Sequence, residues 1–265
     1  MKELVFVGLG LNDERGISLR GLDEVKDADN VFIELYTNIL PEFSIQRLRA
    51  ITGKNIQILS RHDLEDENAL IVLKAAETGK TVFLVPGDPF IATTHVTMRL
   101  EANKRRIKTR VIHGASIISA IIGLSGLHNY KFGKTVTVPF PENFSATPYN
   151  VVTQNKVLGL HTLCLLDINA VDKRYLTINE ALSMLRKIEL EKNKKSVADK
   201  TVAVGLARVG SNNSLVKAGF VEELLSYDFG APPHSLVIPG RLHFMEAEAL
   251  ITFAGAPITL RSMAR

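Results

Sequence analysis

The chain has 265 residues, 46% hydrophobic and 23% charged, which suits one large domain or two of ordinary size. A formal charge of +4 is too weak and too scattered to indicate nucleic-acid binding, and the absence of Trp argues against an aromatic stacking platform. Cys164 is the only cysteine, so no intrachain disulfide can form, and a reducing, cytoplasmic setting is expected.

The elements follow in chain order. Leu4-Val5-Phe6-Val7 reads as a buried strand running into Gly8-Leu9-Gly10-Leu11. Further strands are expected near Val31–Leu35, Ile56–Leu59, Val82–Val85 and Arg110–His113, with helices between them. The clearest helix is expected from about Glu65 to Thr78. Its apolar stripe is Ala69, Val72, Leu73 and Ala76, its first turn is acidic, and Gly79 stops it. Repeated β-α-β units imply a parallel sheet. The longest apolar stretch, Ile117 to Leu127, is broken by Ser119 and Ser125, well short of the roughly 20 residues that cross a bilayer, and no signal-peptide layout opens the chain. A soluble protein without a membrane association is expected.

Asn129-Tyr130-Lys131-Phe132-Gly133-Lys134 reads as a connection, which gives an N-terminal α/β domain over 1–131 and a C-terminal α/β domain over 132–265. The second half predicts a mixed sheet from strands near Val136–Val138, Thr162–Leu166, Val202–Ala207 and Ser235–Ile238. A helix should begin at Thr177, where Thr177-Ile178-Asn179-Glu180 is a capping-box pattern.

Several motifs fall short of familiar signatures. Gly8-Leu9-Gly10 lacks the third glycine of the dinucleotide fingerprint, because Asp13 stands there and would repel a pyrophosphate. Glu34, at a strand end, could hold a ribose but is weak support alone. Gly133-Lys134-Thr135 lacks the earlier glycine of a P-loop, and Gly114-Ala115-Ser116 carries Ile118 where a nucleophile elbow needs glycine. Ser116 is better placed as a residue at a helix start, capping it or touching a polar ligand. None of the seven histidines pairs at metal-ligand spacing, so no metal is expected. His234, after Pro232-Pro233, is by default a strand-end histidine. Asp88, in Pro86-Gly87-Asp88-Pro89, is either a turn former or a partner for a ligand's hydrogen-bond donors. In open α/β sheets ligands bind beyond the carboxyl ends of the strands, and glycines there allow close approach to the backbone. A small-molecule site in the N-terminal half is the leading expectation.

Together, Gly8-Leu9-Gly10-Leu11 with Asp13-Glu14-Arg15, Pro86-Gly87-Asp88-Pro89 with Ala92-Thr93-Thr94-His95, and Tyr130-Lys131-Phe132-Gly133-Lys134 resemble the diphthine synthase family. So do Leu160-His161-Thr162-Leu163 with Leu166-Asp167-Ile168, and Pro232-Pro233-His234 with Pro239-Gly240-Arg241-Leu242-His243; the likeness runs from about residue 4 to 257. The Pro-Gly-Asp-Pro turn alone indicates only the wider class of tetrapyrrole-methylase-like methyltransferases. The resemblance implies two α/β domains with S-adenosylmethionine in the cleft between them, S-adenosylhomocysteine as product, and a homodimer. It also implies a protein substrate, translation elongation factor 2, trimethylated on the amino group of a modified histidine during diphthamide biosynthesis. Cofactor contacts carry over to Leu11, Asp88, Ile91, Ser116, Ile117, Leu166, Val209 and His234, with Ile91 and Val209 contributing through backbone; no catalytic residue is assigned. The segment Phe140 to Asn155 matches poorly.

The chemistry suits these residues. Methyl transfer from a sulfonium to an amine needs near-attack geometry and exclusion of water more than a strong catalytic group. An α-amino group with a reference pKa of about 7.7–8.0 is partly neutral near pH 7. Two other readings stand beside this one: a small-molecule tetrapyrrole or corrin methyltransferase of the same architecture, and a non-catalytic nucleotide-binding module.

Overall fold

The computed structural model describes residues 2–170 and 172–264 and divides into two compact units. One is Met1–Ile117 with Ala170–Asp172; the other is Ile118–Asn169 with Lys173–Arg265.

The first unit is built on β1 (Glu3–Gly8), β2 (Asn30–Glu34), β3 (Gln57–Leu59), β4 (Lys80–Val85) and β5 (Lys108–Ile112). These pair in the order β3-β2-β4-β1-β5, every pair parallel. Alternation along the strands separates two apolar faces. Leu4, Phe6, Phe32 and Phe83 meet the helices Leu70–Thr78 and Val96–Lys104 on one side. Val5, Val7, Ile33 and Leu84 meet the helices Leu19–Lys26 and Ile45–Thr52 on the other. Both faces are covered over the central strands, which is why β1, β2 and β4 read as apolar runs while the edge strands β3 and β5 carry polar residues.

The expected helix over 65–78 is shorter than predicted, because the acidic residues before its apolar stripe are not part of it. Only Leu70–Thr78 is α-helical, and His62–Asp66 is a separate π-turn closed by the Glu67 N–H on the His62 carbonyl. Asn68 and Ala69 between them take φ of 52° and 55°, so the backbone reverses and the acidic residues never join the helix's first turn. Gly79 does end the helix, in extended conformation, where a Cβ would stand 2.6 Å from the Asp29 carboxylate that receives the Lys80 N–H.

The second unit carries β6 (Val136–Val138), β7 (Thr162–Leu166), β8 (Ile168–Asn169), β9 (Arg174–Tyr175), β10 (Val202–Ala207), β11 (Leu215–Phe220) and β12 (His234–Ile238). Its main sheet runs β11-β10-β12-β7-β6, with β6 and β7 parallel and the other pairs antiparallel. This is the mixed sheet expected. The edge strand β11 is not among the expected strands, because Lys217 and Gly219 interrupt its apolar pattern. The helix Ile178–Lys192 begins with the anticipated capping box between Thr177 and Glu180. Its face of Ile178, Leu182, Leu185 and Ile188 packs in one core with Val138, Leu166, Leu236 and Phe229. Cys164 lies fully buried there, and burial pushes its thiol up to about 12, so it stays an unreactive apolar residue.

Candidate active site

The first sheet changes direction between β4 and β1. The chain leaving β1 reaches β2 beyond β4, while the chain leaving β4 reaches β5 beyond β1. Their exits diverge, and in open α/β sheets such a switch point is where ligands sit. Here the two exits are joined. Gly10 N donates to Gly87 O at 3.2 Å and Gly87 N to Gly10 O at 2.7 Å. The glycines do more for this closure than for ligand approach. A Cβ on Gly114 would stand 2.3 Å from the Gly87 carbonyl oxygen, and one on Gly8 would stand 2.5 Å from the same atom. Gly87 differs: its φ is +73°, and a Cβ there would find only the Asn38 side chain within 4 Å, so this glycine borders open space.

Asp88 forms the turn of its first sequence reading and also meets a neighbouring histidine. Its Oδ1 accepts the Phe90 N–H at 3.0 Å, forming the turn, while Oδ2 lies 2.7 Å from His113 Nδ1. Asp88 is buried and the His113 ring is largely exposed. His113 is not among the expected site residues; its only signal in the sequence is a place at the end of β5, directly before Gly114. Behind the turn, the Pro89 carbonyl accepts from the Thr93 hydroxyl at 2.6 Å and lies 3.0 Å from His95 Nδ1. Burial pushes the His95 imidazole down, so Nδ1–H donates to Pro89 and Nε2 is left buried without a partner. The Ala-Thr-Thr-His segment therefore braces the Pro-Gly-Asp-Pro turn.

Five of the expected cofactor residues follow three adjacent strands of this sheet: Leu11 after β1, Asp88 and Ile91 after β4, and Ser116 with Ile117 after β5. Ser116 is buried at the start of the helix Ile117–Ser125. Asp13 is not turned toward a ligand: both its oxygens accept from Arg15, from the backbone N–H at 3.0 Å and the guanidinium at 2.7 Å. Glu34 is likewise consumed locally by the Tyr36 and Thr37 N–H groups and the Thr37 hydroxyl. Burial pushes its carboxyl up despite those donors.

The other three expected residues lie in the second unit, at one end of its sheet. Leu166 ends β7, His234 opens the neighbouring β12, and Val209 follows β10, whose Ala207 pairs with His234. The His234 ring is occupied: Nδ1 accepts the Ile178 N–H at 3.4 Å and Nε2 lies 3.1 Å from the Gly230 carbonyl. Burial pushes its imidazole down. Among the described residues, His62, Asp63 and Glu67 bring ligand-capable atoms within 4.8 Å of one another on an exposed turn. Asp63 is already taken by Ser60.

A family model described as Tetrapyrrole (Corrin/Porphyrin) Methylases matches residues 3–225, and the chain belongs to that family. The diphthine synthase of Methanosarcina mazei is 47% identical over 261 residues, spanning 96% of this chain and 97% of its own. That of Methanocorpusculum labreanum is 48% identical over 254 residues, spanning 95% and 99%. A crystal structure of diphthine synthase superposes with a TM-score of 0.89 at 43% identity, covering 98% of this chain and 99% of that one. Within the family the chain thus groups with the diphthine synthases, and it is an S-adenosylmethionine-dependent methyltransferase.

Proposed function

We propose that this methyltransferase acts in diphthamide biosynthesis, adding three methyl groups to the amino group of the modified histidine of translation elongation factor 2 and releasing S-adenosylhomocysteine. The observation that carries the reading is the likeness to diphthine synthases over 96% of the chain. The proposed active form is a homodimer, which light scattering in solution tests.

The residues at the first switch point fit the donor. Asp88 offers a buried carboxylate to ammonium or ribose donors, Gly87 leaves room beside it, and Leu11, Ile91 and Ile117 supply apolar surface. When bound, S-adenosylmethionine supplies an electrophilic methyl group on a sulfonium. The chain's own part is to hold donor and amine in line and keep water out. With the Thr93–His95 brace behind it, the Asp88 turn is fixed before ligand arrives, which lowers the ordering cost of binding.

The test is incubation of the protein with labelled donor and elongation factor 2 lacking the final modification, followed by mass measurement. A gain of three methyl groups is expected. No transfer to the factor would sink the reading, and transfer to a corrin ring instead would select the small-molecule alternative. Replacing Asp88 with alanine is expected to weaken donor binding by about 1–3 kcal/mol, the worth of a buried charge-assisted bond. Titration calorimetry showing the wild-type affinity would remove Asp88 from the donor site.

A further inference from the structure

Three of the segments that carry the resemblance have no part in the switch point or the residues expected to hold the donor. They are Tyr130-Lys131-Phe132-Gly133-Lys134, Leu160-His161 and Gly240-Arg241-Leu242-His243, and all three meet at one pocket of about 490 Å³ in the second unit. The pocket is built on a buried acid. Glu246, with no exposed surface, accepts from Lys131 Nζ, from the His128 N–H at 2.8 Å, from the His243 N–H at 2.8 Å and from His161 Nε2 at 3.0 Å. His161 receives the Gly240 N–H on Nδ1 at 3.0 Å, which fixes its proton on Nε2 toward Glu246. Lys131 also donates to the Arg241 carbonyl at 2.7 Å. The lysine charge is thus neutralised by the glutamate beneath the surface.

Above this floor the rings of Tyr130, His128, His243 and Phe244 follow one another at centroid separations of 5.5, 5.5 and 4.3 Å. Val157 and Leu158 form an exposed apolar wall. Arg241 is exposed at the same pocket, and no side-chain hydrogen bond or ion pair engages its guanidinium among the described residues. A guanidinium lining the same pocket as these rings and an aliphatic wall is complementary to an acidic side chain carried on an apolar stretch of peptide. The volume lies within the range of ligand-binding pockets.

We infer that this pocket anchors the protein substrate by an acidic side chain of a peptide segment, with Arg241 as the charge partner and Tyr130 as the packing surface. The inference rests on the reading of the substrate as a protein. It deepens that reading by assigning recognition of the substrate, as distinct from the donor, to a built site.

The experiment compares wild-type protein with Arg241→Glu, Tyr130→Ala and, as a control for overall charge, Lys26→Glu on the exposed far end of the helix Leu19–Lys26. Arg241→Glu should raise KM for elongation factor 2 roughly tenfold to hundredfold, since an attraction becomes a repulsion. Tyr130→Ala should raise it less, and Lys26→Glu should leave it unchanged. The donor's Kd should stay at the wild-type value in all of them. An unchanged KM for Arg241→Glu overturns the inference. If wild-type protein transfers no methyl group, the functional reading fails, and calorimetric titration with the factor alone still decides the pocket: binding lost in Arg241→Glu supports it, and binding equal or absent in both overturns it. Uptake of inorganic phosphate by wild type but not by Arg241→Glu, with the factor's affinity unchanged, would make this a phosphate subsite and overturn the peptide assignment.

Discussion

Replacing Glu246 with alanine is expected to destabilise the second unit by about 3–5 kcal/mol, the cost of leaving a buried charge pair half empty. The carboxylate accepts from Lys131, His161 and two backbone N–H groups, and the variant strands all four donors where little water reaches. Urea unfolding measures it, and a midpoint within error of wild type would refute the central place given to this group. Its acid dependence has a definite sign. Burial alone would raise the carboxyl's pKa, but the bonds from His161, the His243 N–H, Lys131 and the His128 N–H overcome it and hold it well below the usual range. A group whose folded pKa is depressed adds stability above its unfolded value, about 4.3, and that stability fades as pH falls below it. Wild-type protein should therefore lose urea resistance below about pH 5 more steeply than Glu246→Gln, whose side chain does not titrate.

Gly114→Ala should give the second large effect, in the first unit. The residue's φ is one that alanine can adopt, so the obstacle is space: a methyl group would lie 2.3 Å from the Gly87 carbonyl oxygen and 2.9 Å from the Gly8 carbonyl carbon. Both neighbours are backbone, one at the end of β1 and one in the turn after β4, and the two exits are hydrogen-bonded to each other, so neither can swing aside singly. Overpacking of this kind costs about 1–3 kcal/mol, and the displaced turn carries Asp88, so donor affinity should fall together with stability. Gly123→Ala is the contrast. Within the helix Ile117–Ser125 its Cβ would meet nothing within 4 Å, and the exchange should stabilise by about 0.5–1 kcal/mol. Thermal unfolding of the two variants should move in opposite directions; equal shifts would contradict this account of Gly114.

What can be seen in the sequence follows from range. The parallel sheet is legible because its central strands are buried on both faces and glycine follows β1, β4 and β5 closely. The capping box at Thr177 is legible because three residues contain the whole device. The helix over 65–78 is overextended because a periodic stripe cannot reveal that Asn68 and Ala69 adopt positive φ. His113 escapes notice since its partner, Asp88, lies 25 residues away in the turn after another strand. Glu246 is further still from its partners, at 115 residues from Lys131 and 85 from His161, and in the chain it is one of two acids in a mostly apolar helix. The motif segments around it carry a resemblance but no geometry. Only folding shows that three of them meet at one cavity while others stand at strand ends.

The reciprocal bonds between Gly10 and Gly87 have a mechanical consequence. Swinging out either turn by itself would strand a donor and an acceptor on the other, so the pair behaves as a single rigid ledge. Adaptation to an incoming molecule must then come from surrounding side chains and from segments beyond the ledge. The backbone at the strand exits acts as the template on which they settle.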